Sequence, residues 1–334
     1  MPEAPPRIAE SQPDHGSTDD RVLDSDVVLS VRGLVKQYAG AAEPAVRGID
    51  LELRRGEVLG MLGPNGAGKT TTVEILTGFR ERTAGDVQLL GLDPGVRADL
   101  RALRRRVGVV LQQTGHLRYL TVRETLEMHA AYYRDARSPA EVLALVGLED
   151  SATKNVRALS GGQQRRLDVG VALVGRPEVV FLDEPTTGFD PAARRRAWDI
   201  VGELTSLGTS VVLTTHYMEE AARLADRVVV LAAGRIVGSG TPEEIAHDLQ
   251  LGTTIRAQLP DDVDAEALPA ALRRGFVATG TFELRVEDAT RPLAELCSWA
   301  LERGITLVDL DVRAPSLEDS YLALTDETEP EGST

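Results

Sequence analysis

The chain has almost no cysteine. Cys297 alone among 334 residues excludes an intramolecular disulfide and agrees with a reducing compartment. Long hydrophobic runs are also missing: no stretch approaches the roughly 18 to 20 apolar residues that a membrane-crossing helix needs. No charged-then-apolar leader pattern opens the sequence, so a protein made and kept in the cytoplasm is expected. Positive charge is short. The formal net charge is −15, and because the two ends are themselves acidic, residues 26–325 sum to −7. An acidic core argues against nucleic acid as the main ligand, since non-specific binding there depends on clustered cations. Arginines do cluster at residues 104–106 and 194–196, where solvated helix faces are the ordinary reading.

What is present is ample for folding. A hydrophobic fraction of 42% over this length supports ordinary cores and two or three domains. Residues 63–70 run Gly63, Pro64, Asn65, Gly66, Ala67, Gly68, Lys69, Thr70, with Thr71 next. This fits GxxxxGK[ST], in which backbone N–H groups curl around phosphates and a helix N-terminus adds a favourable field. The context fits too: the apolar run at residues 58–62 reads as a buried strand and residues 71–79 as the following helix. Lys69 is then the phosphate cation and the Thr70 hydroxyl a hard oxygen ligand for Mg²⁺. A second strand at residues 179–182 ends in Asp183 and Glu184. A parallel sheet brings strand carboxyl ends together, which assigns Asp183 to the metal, directly or through water, and Glu184 to the attacking water as general base or water-orienting carboxylate.

Leu159 precedes Ser160, Gly161, Gly162 and Gln163, and Ser160 with Gln163 satisfies an S-x-x-Q capping box at the start of a helix. Capping explains the pentapeptide locally; a capped helix with two glycines at its mouth is also an anion site. Taken in order, the phosphate loop, LSGGQ and the acidic strand end resemble the nucleotide-binding subunit of ATP-binding-cassette proteins. The resemblance covers about residues 27–245. It implies an α/β P-loop fold with a helical subdomain near residues 114–170, ATP and Mg²⁺ as ligands, and ATPase activity. By resemblance, Tyr38 stacks on adenine, Gln112 links Mg²⁺ to the transport partner, Asp190 sits at a dimer seam and His216 contacts the γ-phosphate. Without it, Tyr38 reads as a strand aromatic, Gln112 as a strand-end polar residue and His216 as a near-core histidine. Phe189 departs from the pattern, because relatives commonly carry leucine there.

One phosphate loop and one LSGGQ cannot build the family's two composite sites, so an ATP-sandwiched dimer, most simply of two copies of this chain, is expected. The family also implies an integral-membrane permease as partner, met by the helical subdomain. Residues 114–120 are the candidate contact surface, ahead of a helix that Thr121 and Glu124 cap as a box. The expected place is the cytoplasmic face of the cell membrane.

The pattern changes after Ile245. Residues 253–325 alternate as β-α-β-β-α-β with a last helix over residues 316–326, a small α+β, ferredoxin-like appendage. Its helices are predicted over residues 264–275 and 291–304, the second carrying Cys297 as a packing residue. Residues 26–248 form the ATP-binding domain, and the acidic ends, residues 1–25 and 326–334, are expected to be disordered. The closing stretch resembles the tail of drug-export ATPases of the daunorubicin-resistance type. That implies an ABC-2 type permease and export of a hydrophobic compound such as a drug or antibiotic. The alternative is a soluble cassette ATPase acting on ribosomes or nucleic acid, but those usually carry two cassettes, long coiled arms or zinc-binding cysteines. A kinase or GTPase leaves LSGGQ unexplained and lacks an NKxD guanine motif.

Overall fold

The computed structural model describes residues 26–313 apart from 113, 114, 116, 249–251, 261, 262 and 279. The expected disordered ends and the last helix over residues 316–326 lie outside the described residues, as does part of the 114–120 surface.

In chain order come β1 (Val27–Lys36), β2 (Val46–Arg54), β3 (Val58–Leu62), α1 (Lys69–Leu76), β4 (Ala84–Leu89), α2 (Arg97–Leu103) and β5 (Val107–Val110). Helices α3 (Val122–Ala130), α4 (Pro139–Leu145) and α5 (Gly161–Leu173) follow, then β6 (Val179–Asp183), α6 (Pro191–Ser206), β7 (Ser210–Thr215), α7 (Met218–Leu224), β8 (Arg227–Ala232), β9 (Arg235–Gly240) and α8 (Pro242–Asp248).

Strands β2, β1 and β4 form an antiparallel sheet in that order. The second sheet has the order β5-β6-β7-β3-β8-β9, parallel except for β9. Its central strands are covered on both faces and accordingly read as unbroken buried runs, VLGML, VVFLD and SVVLTT. One face packs with the antiparallel sheet and α1 through Leu59, Met61, Val73, Phe181 and Val212; the other packs with α3 to α6 through Leu126, Val142, Leu167, Leu173, Val180 and Leu204.

Strand order positions the site. β7 lies between β3 and β6, pairing Leu62 with Thr215 and Asp183 with Thr214. The end of β3 that launches the phosphate loop and the acidic end of β6 are therefore level, one strand apart.

Helix α5 packs tightly on its neighbours. A Cβ at Gly170 would meet Val142 of α4 at 3.1 Å, and one at Gly108 of β5 would meet the Ala172 carbonyl at 2.6 Å. Gly170 thus exchanges helix propensity for close approach, and Gly108 lets the strand meet the helix backbone. Gly175 lies past the helix end, as its position before Arg176 and Pro177 predicts.

The region after residue 252 has its own sheet, β11-β12-β10-β13, built from β10 (Thr253–Gln258), β11 (Phe276–Ala278), β12 (Thr281–Val286) and β13 (Val308–Arg313), all pairs antiparallel. Numbered within the unit this is 2-3-1-4, the strand order expected of a ferredoxin-like unit. Helix α9 (Thr290–Arg303) covers it, and Ile255, Phe282, Leu284, Leu296 and Trp299 form its core. Cys297 lies half-buried in α9, as a packing residue would. The first predicted helix is not there: residues 264–275 make two short 3₁₀ turns, Ala265–Ala267 and Arg273–Gly275. Pro269 is the cause. It holds Leu268 extended (ψ 151°) and removes an N–H donor from the middle of the segment.

Candidate functional site

The phosphate loop is shaped by backbone demands before any ligand arrives. Gly68 has φ 101°, a conformation closed to most side chains, and caps α1 without a side-chain bond. The first N–H groups of α1 are thereby left available for an anion. A Cβ at Gly63 would lie 2.5 Å from the Leu231 carbonyl, so only glycine lets the loop leave β3 past β8.

Within this loop the Lys69 side chain is 4% exposed. Its ammonium donates to the Gly63 carbonyl (2.7 Å) and the Pro64 carbonyl (3.1 Å) and lies 3.5 Å from Glu184 Oε1. Burial draws the Lys69 pKa below its ordinary value, opposed first by Glu184 and then by Asp183. A buried cation of this kind calls for compensating negative charge.

Asp183 is fully buried at the end of β6. Its Oδ1 accepts from the Thr214 hydroxyl at 2.5 Å and from the Thr70 hydroxyl at 3.3 Å, while Oδ2 is buried with no hydrogen-bond partner. Glu184 follows with φ 46°, a left-handed conformation unusual for a residue with a side chain. Its carboxylate accepts from Thr187 Oγ1 (3.2 Å) and Gln112 Nε2 (3.5 Å). His216 Nδ1 lies 3.4 Å from Glu184 Oε1, near enough for an ion pair but without hydrogen-bond geometry.

A cavity of about 620 Å³ opens over these groups, lined by Ala45, Pro64, Asn65, Gly66, Gly68, Lys69, Thr70, Thr71, Gln112, Glu184, Thr187 and His216. Gly63, Ala67 and Asp183 are not among its lining residues; Asp183 meets the cavity through Thr70, whose hydroxyl donates to the Asp183 carboxylate. Tyr38 stands beside it, its hydroxyl 3.1 Å from Thr71 Oγ1 and its ring near the cations of Lys36 and Arg80. The cluster is therefore convergent: residues read from distant parts of the sequence meet at one place.

Two sets stay outside this cavity. Ser160, Gly161, Gly162 and Gln163 head α5, where both bonds of the capping box form (Gln163 N to Ser160 Oγ, 3.3 Å; Ser160 N to Gln163 Oε1, 3.0 Å). They do not line the cavity of their own chain. Asp190 is exposed and caps α6 by accepting from Ala193 N at 2.8 Å. Phe189 turns into its own chain, beside Leu182, Pro185, Ala197 and Ile200.

The structure adds residues that the sequence reading passed over. Thr214 braces both members of the acidic pair, since its hydroxyl also accepts from Glu184 N at 3.0 Å. The only sequence cue was a polar doublet ending an apolar strand. Thr187 and Ala45 line the cavity, and nothing in their local sequence marks them.

No cluster of three or more His, Cys, Asp or Glu side chains suited to a metal occurs among the described residues. The donors that do fit Mg²⁺ are Asp183, with its unpartnered oxygen, the Thr70 hydroxyl and the Gln112 amide, a sparse oxygen set of the kind Mg²⁺ takes alongside phosphates and water. One arginine of each cluster is engaged within the chain: Arg106 makes a forked pair with Glu178 (2.5 and 3.1 Å), and Arg194 lies over the Tyr217 ring at 4.3 Å.

A parallel sheet, a glycine loop opening a helix and an acidic strand end level with it define a P-loop nucleoside triphosphatase. Residues 46–187 match the ABC transporter family and residues 253–316 match the C-terminal domain of ABC transporter domain-containing proteins. The daunorubicin resistance ATP-binding protein DrrA3 of Streptomyces coeruleorubidus is 38% identical over 310 residues, 90% of this chain and 96% of that one. The Nod factor export ATP-binding protein I of Ralstonia nicotianae is 38% identical, covering 91% and 95%. A dimeric ATP-binding cassette solved in a post-hydrolysis state with ADP and Pi superposes with TM-score 0.59 at 27% identity, over 64% of this chain and 98% of that one. The chain belongs to the ATP-binding subunits of ABC transporters, in the drug-resistance ATPase group, and is an ATPase.

Proposed function

We propose that this chain is the motor of an exporter: it binds ATP with Mg²⁺ between two copies of itself and drives a separate ABC-2 type permease that moves a hydrophobic compound such as a drug or antibiotic. One observation carries the reading of the site. The buried Lys69 ammonium and the Glu184 carboxylate line one cavity together with Thr70, whose hydroxyl donates to the buried Asp183 carboxylate behind it, and a triphosphate there supplies the negative charge that Lys69 needs.

The roles follow from position. N–H groups of residues 63–71 hold the phosphates, Lys69 neutralises the β- and γ-phosphates, and Tyr38, beside the loop, stacks on the adenine. Thr70, Asp183 and Gln112 would hold Mg²⁺, which when bound supplies charge neutralisation at the phosphates. Glu184 takes the proton of the attacking water. Thr187, Gln112 and Lys69 restrict its carboxylate, and His216, on the adjacent strand end, reaches both that carboxylate and the γ-phosphate. Ser160, Gly161, Gly162 and Gln163 complete the site of the partner copy. The exposure of Ser160 and Gly161 at a helix mouth away from their own cavity supports that, as does Asp190 exposed nearby in sequence to the acidic pair.

Among the described residues no helix is long and apolar enough to cross a membrane, so translocation falls to another subunit at whose cytoplasmic face this chain docks. Leu117 and Tyr119, 59% and 80% exposed, offer apolar contacts ahead of α3, and Phe79 offers a third. The relatives named for drug resistance and Nod factor export support outward transport.

Lys69→Ala is expected to lower ATP turnover by about 100-fold or more, since it removes the phosphate cation; near-normal turnover would refute the site. For the partner, the tagged Glu184→Gln chain with ATP is recovered from solubilised membranes and from the soluble fraction. A polytopic membrane protein in the first eluate is the expected result, and ribosomes or nucleic acid in the second would overturn the exporter reading.

A further inference from the structure

The helix that begins at Ser160 reaches back into its own chain through Arg165, little more than one turn later. The Arg165 guanidinium is only 11% exposed and donates to a set of backbone carbonyls: Asp183 (2.6 Å), Glu184 (3.3 Å), Pro185 (3.3 Å) and Leu111. These carbonyls flank the two working side chains of the cavity, Glu184 on one strand end and Gln112 on the next. Asp168, one turn along α5, supplies the nearest counter-charge at 3.7 Å.

The arrangement uses what is particular to arginine. A planar fork with five donors can span the ends of β5 and β6 at once, whereas a lysine ammonium, a compact point charge, cannot hold both in register. The bonded stretch includes Glu184, whose left-handed backbone has to be held by its surroundings. Thr214 holds its N–H side and Arg165 its carbonyl side. At the other end the capping box closes the first turn of α5, and Arg165 lies little more than one turn further on.

We propose that Arg165 is a positioning residue that couples the two nucleotide sites of the dimer: engagement of the partner copy's γ-phosphate by the mouth of α5 sets, through this guanidinium, the geometry of Glu184 and Gln112 in the same chain. The inference rests on the composite-dimer reading above. It makes hydrolysis in one site conditional on occupancy of the other.

The test compares wild type with Arg165→Lys in the full chain, reading ATPase rate against ATP concentration and the affinity for a fluorescent ATP analogue. The expected result is a fall in kcat of at least about tenfold, a Hill coefficient dropping from above 1 to 1, and analogue affinity within about threefold of wild type. Unchanged kcat and Hill coefficient, or kcat and affinity lost together as for a packing residue, would overturn it. A wild type that hydrolyses no ATP removes the site reading itself, which separates that failure from this one. A second measurement leaves Arg165 intact. Dimers with Ser160→Arg in one copy, isolated through two different tags, are expected to hydrolyse ATP at under a tenth of the wild-type rate; half the wild-type rate would show independent sites and sink the coupling.

Discussion

Glu220 shows how much of this protein's chemistry lies off the recognised motifs. It is fully buried on α7; its Oε1 accepts from Thr186 Oγ1 (2.9 Å) and Trp198 Nε1 (3.1 Å), while Oε2 has no partner. Burial raises its pKa above the ordinary 4.5, opposed by the neighbouring hydroxyls of Thr215 and Thr186, by Trp198 and by Arg194. The folded state therefore holds this proton more tightly than the unfolded chain. Stability contributed by the protonated acid is present in full below the unfolded value and is lost as pH rises through the raised folded value. Thermal melts from pH 4 to 8 are expected to show wild type losing stability relative to Glu220→Gln, which stays neutral throughout. A wild type that gains on that variant as pH rises would contradict the burial argument. At this scale Lys69, Thr70, Asp183 and Glu184 were legible because each lies in a contiguous motif with a known chemical demand. Arg165, Thr214 and Glu220 were not, because their partners come from other elements and no local spacing announces them.

Elements were legible where local chemistry and burial agree. The boxes at Thr121 with Glu124 and Ser160 with Gln163 both form as their spacing implies, and the apolar runs become the central strands. At residues 264–275 the predicted helix is replaced by two 3₁₀ turns, because the backbone obeys Pro269. The helix after the phosphate loop was also read too long: α1 stops at Leu76, and Gly78 turns the chain at φ 73°. Contact between α5 and β5 was invisible in sequence, yet Arg165 depends on it. Gly108→Ala would drive a Cβ against the Ala172 carbonyl, backbone that cannot rotate away. A loss of about 1–3 kcal/mol is expected, read as a lowered denaturation midpoint. An unchanged midpoint would show that α5 can move off the sheet freely.

At the scale of the molecule, the described residues after 252 bury Phe282, Leu296 and Trp299 in a cluster of their own. None of the residues lining the nucleotide cavity comes from that region. Deleting residues 253–334 is accordingly expected to leave ATP-analogue affinity within about threefold while weakening assembly or coupling to the permease. Complete loss of nucleotide binding would show that the appendage belongs to the nucleotide unit. The central claim is that one chain carries two half-sites and works only as a pair. Light scattering of Glu184→Gln with saturating Mg-ATP tests it most directly. The account expects the 36.0 kDa mass to double with ATP and to return to that of a single chain when ATP is removed; a single-chain mass at saturating ATP would contradict it.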